Sequence, residues 1–471
     1  MEHLLLGQIG LESAVSVLRA LLFFVITIFV LVTFHEFGHF IAGRIFGMRV
    51  PIFSVGMGRR IFGFNKVNGL TAGPLDPEAE IKLENNTDYR LSLLPIGGYA
   101  KIEGMIDETT NEALPSEIQP WEFRAKPWWQ KSIVISAGVI MNILLAWAIF
   151  SGRNLIYGAE APGTTTVGYV RQGSVSDAQG VRPGDRIVSI DNKAATNWND
   201  VDQVLVQDYG HDFSIHLERN GTMYSVLYRA SDLGSPLDAL KNFGLEPVGQ
   251  TAPVLDSVVP AQPASVAGLK KGDSIVAVNG IPIVGQTALI DEVSSHPLKP
   301  ITMDLVRNGE HKLVTVTPDA KGLIGVYPYS HFAGPITQIH YGLGEAIQLG
   351  WTNLWTVARL TVVTISQVIA GKMPIAGVLG GPVKIAQFAS QSAAGGFESF
   401  IVFMAMLSIS LALINILPIP ALDGGHLLII LIEAALGHEL SQRFKLNFQK
   451  VGIAVLLFLL IFMTINDIRS L

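Results

Sequence analysis

The sequence predicts a polytopic α-helical membrane protein with four transmembrane helices, a β-bearing loop on one side and two tandem β-rich α+β modules on the other. Three observations carry this prediction. Apolar residues make up 49% of the 471 and are gathered into separate runs, with a mean hydropathy of +0.40 and 15% charged residues, which is unusual for a water-soluble chain. Residues 158–330 are instead polar and glycine-rich and contain an internal repeat. One apolar run ends in His35-Glu36-Phe37-Gly38-His39, a metal-binding pattern at the edge of a membrane-grade helix. The net charge of −6 argues against nucleic acid as a partner. With no cysteines, disulfides and thiolate metal sites are excluded, so any zinc must be held by His and carboxylate.

The first segment is 1–46. Leu18 to Phe34 reads LRALLFFVITIFVLVTF, with one charge, Arg19, and the apolar pattern runs on to Phe46, so the span covers about Val15 to Phe46. No basic region precedes it and no small-residue cleavage site follows, so a retained span is expected and not a signal peptide. On a helix His35 and His39 lie on one face and can share a metal ion, with Glu36 beside them as a general base. Three ionisable groups at the end of an apolar span are costly unless paired or metal-bound.

Residues 47–127 form the next loop. Eleven Lys and Arg residues fall between positions 44 and 131, which places this loop in the cytoplasm and the N-terminus outside. Tyr89 to Ile102 alternates like a strand, interrupted by Pro95 and Gly97-Gly98. Proline belongs at a sheet edge and paired glycines admit a second backbone. An edge around Ile96, Gly97 and Gly98 that pairs with an extended peptide is one reading, and an ordinary hairpin is the other.

Pro127-Trp128-Trp129-Gln130-Lys131 is an interfacial anchor opening the second span, 128–151. Within it Gly138 and Asn142 are four apart, the pattern of close helix packing. In the polar region, Val181-Arg-Pro-Gly-Asp185-Arg-Ile-Val-Ser-Ile recurs 88 residues later as Leu269-Lys-Lys-Gly-Asp273-Ser-Ile-Val-Ala-Val. Each copy runs on to an Arg-Asn-Gly turn, so two modules are expected, 158–245 and 246–330. Either they are scaffold or, as open-edged β modules, they bind peptide.

Residues 341–395 are apolar with Trp351 and Trp355 on one face, then broken at Gly371, Pro374, Gly377 and Gly380-Gly381-Pro382. They are expected to lie at the membrane surface as amphipathic helices. The third span, 399–424, ends in Asn415-Ile-Leu-Pro-Ile-Pro-Ala-Leu-Asp423-Gly-Gly-His426. Two prolines break it at membrane depth, where irregular backbone is tolerated only inside protein or beside a water-filled cavity. A cytoplasmic loop, 425–450, and a fourth span, 451–466, complete the chain. Four spans bring the HExxH residues and Asp423 to the same, cytoplasmic, side; a fifth at 345–370 would part them.

A catalytic zinc takes three protein ligands and leaves one position open. His35 and His39 supply two, Asp423 is the best third, and His426 is its rival. Asn415 could donate its amide to an oxyanion or to substrate backbone, or simply cap the broken helix. Such a group hydrolyses peptide bonds within the membrane, where a helical substrate must first unwind and could be held by the edge strand.

His35-Glu36-Phe37-Gly38-His39, the Asn415 to His426 segment and the tandem Gly-Asp modules together resemble the site-2 protease family of intramembrane zinc metalloproteases, along essentially the whole chain. The resemblance implies zinc on His35, His39 and Asp423, with Glu36 as catalytic base. It implies two periplasmic PDZ domains over 158–330, a membrane-associated β element that presents substrate, and periplasmic amphipathic helices over 341–395. It further implies a monomer in the lipid of a bacterial inner membrane, with both termini periplasmic. The substrates would be single-span membrane proteins: an anti-sigma factor already trimmed by another protease, or signal-peptide remnants. The PDZ pair would act as a size filter against untrimmed substrates. The chain departs from the family in one place, with Val139 after Gly138 where proline is frequent. The competing reading is a zinc-containing membrane scaffold that binds peptides through its modules; a transporter fits less well, since few polar groups lie outside one site.

Overall fold

The computed structural model describes residues 2–75, 85–105, 117–206, 210–235, 238–371 and 380–469. It divides into two units, one made of Met1–Tyr157 with Tyr341–Leu471, the other of Gly158–His340.

In the first unit, four of the described helices are long and apolar enough to cross a membrane: Val15–Ile45, Trp128–Ile156, Phe397–Asn415 and Gln442–Arg469. Each reaches the ~20 residues that a bilayer core of ~30 Å needs, or falls one short. Leu18, Phe458 and Ile461 on the first and fourth are more than half exposed, apolar surface of the kind that lipid covers. The second helix is the central one. Val134, Ile135 and Ala137 pack with Phe40, Phe53 and Ile430 near its start, while Ala146 and Phe150 pack with Leu354, Ala405 and Ile409 near its end. A Cβ on Gly38 would run into the carbonyl oxygen of Ala137, so glycine is what lets the first two helices cross backbone to backbone.

Between them lies a sheet of β1 (Ile52–Asn65), β2 (Gly69–Ala72) and β3 (Asp88–Lys101), in the order β2-β1-β3. β1 bends at Gly56 and Gly58, both at φ +86°, and Gly97 bends β3 at φ +80°; only glycine takes these values without strain. The sheet is pinned by buried Asp88, which accepts from Nε of both Arg60 and Arg90 at 3.0 Å. It docks on the first helix through an aromatic cluster, Phe40 lying 5.2 Å from Phe53 and 5.7 Å from Tyr89 between ring centroids. This docking point, Phe40, lies one helical turn from Glu36.

Residues 425–450, expected as a loop, contain a helix, Asp423–Leu436, and the fourth span begins at Gln442. The apolar stretch HLLIILIEAAL after the proline break is itself a helix, closed by Gly437 in the left-handed region at φ +74°. The broken segment rests on the fourth helix at Gly452, where a Cβ would strike the Pro420 carbonyl. The helix Leu343–Ile369 packs along the second span, with Trp147 Nε1 donating to the Ile347 carbonyl at 3.2 Å. Pro374 and Gly377 lie outside the described residues. The next helix, Pro382–Ala394, is capped from the fourth: buried Asp467 accepts from the N–H groups of Gly381 and Lys384, both at 3.1 Å.

The second unit contains the repeat as two β-rich modules, each with its own core. Their Arg-Asn-Gly turns are tight hairpins with positive φ at Asn220-Gly221 and Asn308-Gly309. The same turn delivers an arginine to the Gly-Asp turn. Arg219 Nε lies 2.6 Å from Asp185 Oδ1, and Arg307 Nε 2.6 Å from Asp273 Oδ1. Nη2 of each also donates to a backbone carbonyl, Gly180 at 2.8 Å and Gly268 at 2.9 Å. The repeated Gly-Asp and Arg-Asn-Gly signals are thus two ends of one buried fork.

Burial pushes the Asp273 carboxyl up, but the hydrogen bonds from Arg307 and the Lys270 N–H outweigh it and hold it below the usual carboxylate range. Asp185 behaves likewise beside Arg219 and Tyr224. A lowered folded-state value means the stabilisation is complete above the unfolded carboxyl value near ~3.9. It is lost as pH falls through the folded value. Asp273→Asn is expected to cost about 1.5–3 kcal/mol and to flatten the acid limb of unfolding. Hydrogen exchange across 254–330 in the full chain measures this; unchanged protection would remove the fork from the account.

Candidate metal centre and catalytic cleft

The side chains of His35, His39 and Asp423 come together, each offering one ligand atom, all within 4.8 Å of one another. The HExxH helix supplies the imidazoles from consecutive turns. Asp423 arrives at the start of the helix that follows the Pro418–Pro420 break, where a Cβ on Gly424 or Gly425 would strike the carbonyls of Leu417 and Ile419. Glycine there allows the turn tight enough to point the carboxylate inward.

Asp423 Oδ2 lies 3.1 Å from His35 Nε2 and 3.6 Å from His39 Nε2, and the two Nε2 atoms are 3.2 Å apart. His39 Nδ1 donates to the Val134 carbonyl at 2.8 Å, so its Nε2 carries a lone pair. Asn142 Nδ2 lies 3.1 Å from His35 Nδ1, and its Oδ1 is buried with no hydrogen-bond partner among the described residues, which favours the exchanged orientation of the amide. With its oxygen turned to that ring N–H, it frees the second Nε2 in the same way. Asp423 Oδ2 is buried and has no hydrogen-bond partner among the described residues. Two nitrogen lone pairs and a carboxylate oxygen facing one another repel unless a cation lies between them. Their separations suit ligand atoms on an ion with bonds of roughly 2.0–2.2 Å. Gly138 keeps the space open: a Cβ there would run into His39 Nε2 and come within 2.8 Å of His35 Nε2. The donor set fits zinc.

A cleft of about 300 Å³ is lined by the metal group together with Glu36, Ala100, Asn415 and His426. Glu36 Oε2 accepts from the Ala100 N–H of β3 at 3.0 Å, so the β element touches the carboxylate beside the metal group. Gly97 and Gly98 are buried on the same strand, and a Cβ on Gly98 would stand 3.7 Å from Glu36 Cγ. Ile96 is on β3, but its side chain lies outside the described residues. Asn415 ends the third span, half-buried in the cleft wall. His426 also lines the cleft but is not one of the three convergent ligands.

Asn142, Val134 and Ala100 were not anticipated as part of the site. The Gly138 and Asn142 spacing predicts helix packing alone, yet an amide within an otherwise apolar span is itself a signal of function, and Asn142 is fully buried. The two carbonyl and N–H partners are backbone groups, which leave no mark on a sequence.

The family described as "Peptidase family M50" matches residues 23–71 and 77–459. The chain is similar to "Regulator of sigma-E protease RseP" of Salmonella typhimurium (strain 14028s / SGSC 2262), 31% identical over 477 residues, covering 97% of this chain and all of the relative. It is 29% identical over 469 residues to "Regulator of sigma-E protease RseP" of Escherichia coli K12, covering 95% and 98%. A protein of Pasteurella multocida that carries a zinc-metalloprotease name is 30% identical over 464 residues, covering 94% and 97%.

Proposed function

The chain belongs to peptidase family M50, the site-2 protease type of membrane zinc metalloprotease, and from that premise we propose that it cuts peptide bonds within or next to the transmembrane segments of single-span membrane proteins. The observation that carries this reading is the meeting of His35, His39 and Asp423 beside a carboxylate, Glu36, that is gripped from β3.

In this reading His35, His39 and Asp423 hold the zinc, which when bound acidifies water toward neutrality and polarises a carbonyl. Glu36 is the general base. Its Oε2 is engaged by the Ala100 N–H, which orients the carboxylate and leaves the other oxygen to take a proton from the attacking water. The same carboxyl then returns that proton to the leaving amine. Asn415 donates its amide to the carbonyl oxygen or the neighbouring substrate backbone. A substrate helix cannot present its scissile carbonyl while that group is in an intrahelical hydrogen bond. The edge of β3 around Ile96, Gly97 and Gly98 holds the unwound segment by strand pairing, next to Glu36.

The relatives are named as regulators of sigma-E, and the substrate of this reading is an anti-sigma factor already trimmed of its outer domain; signal-peptide remnants are a second class of the same chemistry. The site lies near the cytoplasmic face of a bacterial inner membrane, both termini and residues 158–330 lie in the periplasm, and the chain works as a monomer in lipid. The two β-rich modules are PDZ domains that exclude substrates with bulky outer domains. Deleting Gly158–His340 is then expected to permit cleavage of substrates that still carry a folded outer domain. If such substrates stay uncut while trimmed ones are processed, the filter idea fails. The overall reading is tested by zinc analysis of the purified chain together with cleavage of a single-span substrate in liposomes.

A further inference from the structure

A second cavity, also of about 300 Å³, opens beside the catalytic cleft and shares Met105, Ala421, His426 and Gln449 with it. Its walls come from the segment joining the first two spans, the start of the second span, the helix Asp423–Leu436 and the start of the fourth helix, so it lies on the loop side of the metal group. Much of the lining is apolar, with Phe123, Ile135, Ile429 and Phe448 prominent. Three cations also face it, and each is already paired: Lys445 with Glu433 at 2.6 Å, Lys131 with Glu439 at 3.5 Å, and Arg124 with Glu122. Paired charges leave little net attraction for a phosphate, which speaks against a lipid headgroup as the occupant.

Gln449 is the anomaly. It is 7% exposed, and its Nε2 is buried with no hydrogen-bond partner among the described residues. A buried amide donor left unsatisfied is costly, so such a group in a native fold calls for a ligand or water. A primary amide offers one donor and one acceptor side by side, which matches a peptide unit. A volume at the lower end for binding sites suits one or two residues of chain.

We propose that this cavity binds the substrate residues on the loop side of the scissile bond, selecting an apolar side chain there, with Gln449 pairing to their peptide unit. The assignment rests on the protease reading above and makes Gln449 a substrate-positioning residue, not a ligand of the metal or a proton carrier. It predicts that cleavage efficiency depends on the size of that side chain, because the cavity borders the cleft through four shared residues and has a limited volume of about 300 Å³.

The test uses the full chain in liposomes and single-span substrates differing only at the two loop-side residues, Ala-Ala against Leu-Leu. The wild type is expected to favour Leu-Leu. Gln449→Leu is expected to raise KM about tenfold, with kcat within about twofold and zinc content unchanged. Ile118→Trp, on the exposed part of the lining, is expected to turn preference toward Ala-Ala. An unchanged KM in Gln449→Leu, or a preference indifferent to Ile118→Trp, overturns the assignment. So does a KM that follows the anionic lipid content and not the substrate sequence. Should Gln449→Leu fail to fold, the Ile118→Trp preference decides alone. A wild type that holds zinc yet cuts neither substrate sinks the protease reading itself, a different outcome from either of these.

Discussion

Glu36→Gln is expected to retain zinc at the wild-type stoichiometry and to lower cleavage of a membrane-embedded substrate by about 10²–10⁴-fold, the usual contribution of a positioned general base. The reasoning is geometric. Glutamine keeps the shape of the side chain and an oxygen for the Ala100 N–H, which donates to Oε2 at 3.0 Å in the native protein. The contact between β3 and the first helix therefore survives. His35, His39 and Asp423 are untouched, so the metal stays. Only the capacity to accept a proton is lost. Metal analysis and single-turnover cleavage on the same preparation measure the two parts separately. Turnover close to wild type would show that another group moves the proton. Zinc lost together with activity would show that Glu36 supports the metal and would leave its role as base without evidence.

Gly138→Ala is expected to weaken zinc binding by at least about 100-fold, the upper range for losing a group that orients a metal ligand, and to abolish cleavage with it. The added methyl occupies the space where the two imidazoles converge, running into His39 Nε2 and lying 2.7 Å from His35 Cε1. Neither ring can retreat freely, since His39 is tied to the Val134 carbonyl and His35 to Asn142, both on the same second helix. Gly152→Ala is the matched control: it lies on the same helix, and its Cβ would meet nothing within 4 Å. That variant is expected to bind zinc and cut normally, and by helix propensity to be slightly more stable. Competition with a chelator in detergent reads both affinities. Wild-type zinc affinity in Gly138→Ala would mean that the rings do not converge as described.

The depth to which the sequence could be read differs from element to element, and the reason is physical. Apolar runs of bilayer length mark candidate spans because the bilayer sets a length and a polarity that composition must obey. The fifth apolar run, 345–370, is set apart because a span there would part the HExxH residues from Asp423. His35 and His39 are bound to share a face by the pitch of one helix. The repeated Gly-Asp and Arg-Asn-Gly signals announce two similar modules, since turns need residues of special backbone freedom wherever they occur. In contrast, the helix Asp423–Leu436 was hidden behind two prolines, because a break and an end have the same local signature.

What the chain by itself determined was therefore a set of features governed by local geometry or by the solvent: the spans, the paired histidines, the suspect Asp423 and the modules. Tertiary structure alone decided the partners across hundreds of residues. Asn142 and Val134 from the second helix fix the imidazoles, Ala100 steadies Glu36, and Gln449 from the fourth helix is left aimed into a cavity. These contacts depend on which faces of which helices meet, and that is set by small residues such as Gly38 and Gly138 allowing backbones to touch, a consequence of packing that no single segment encodes.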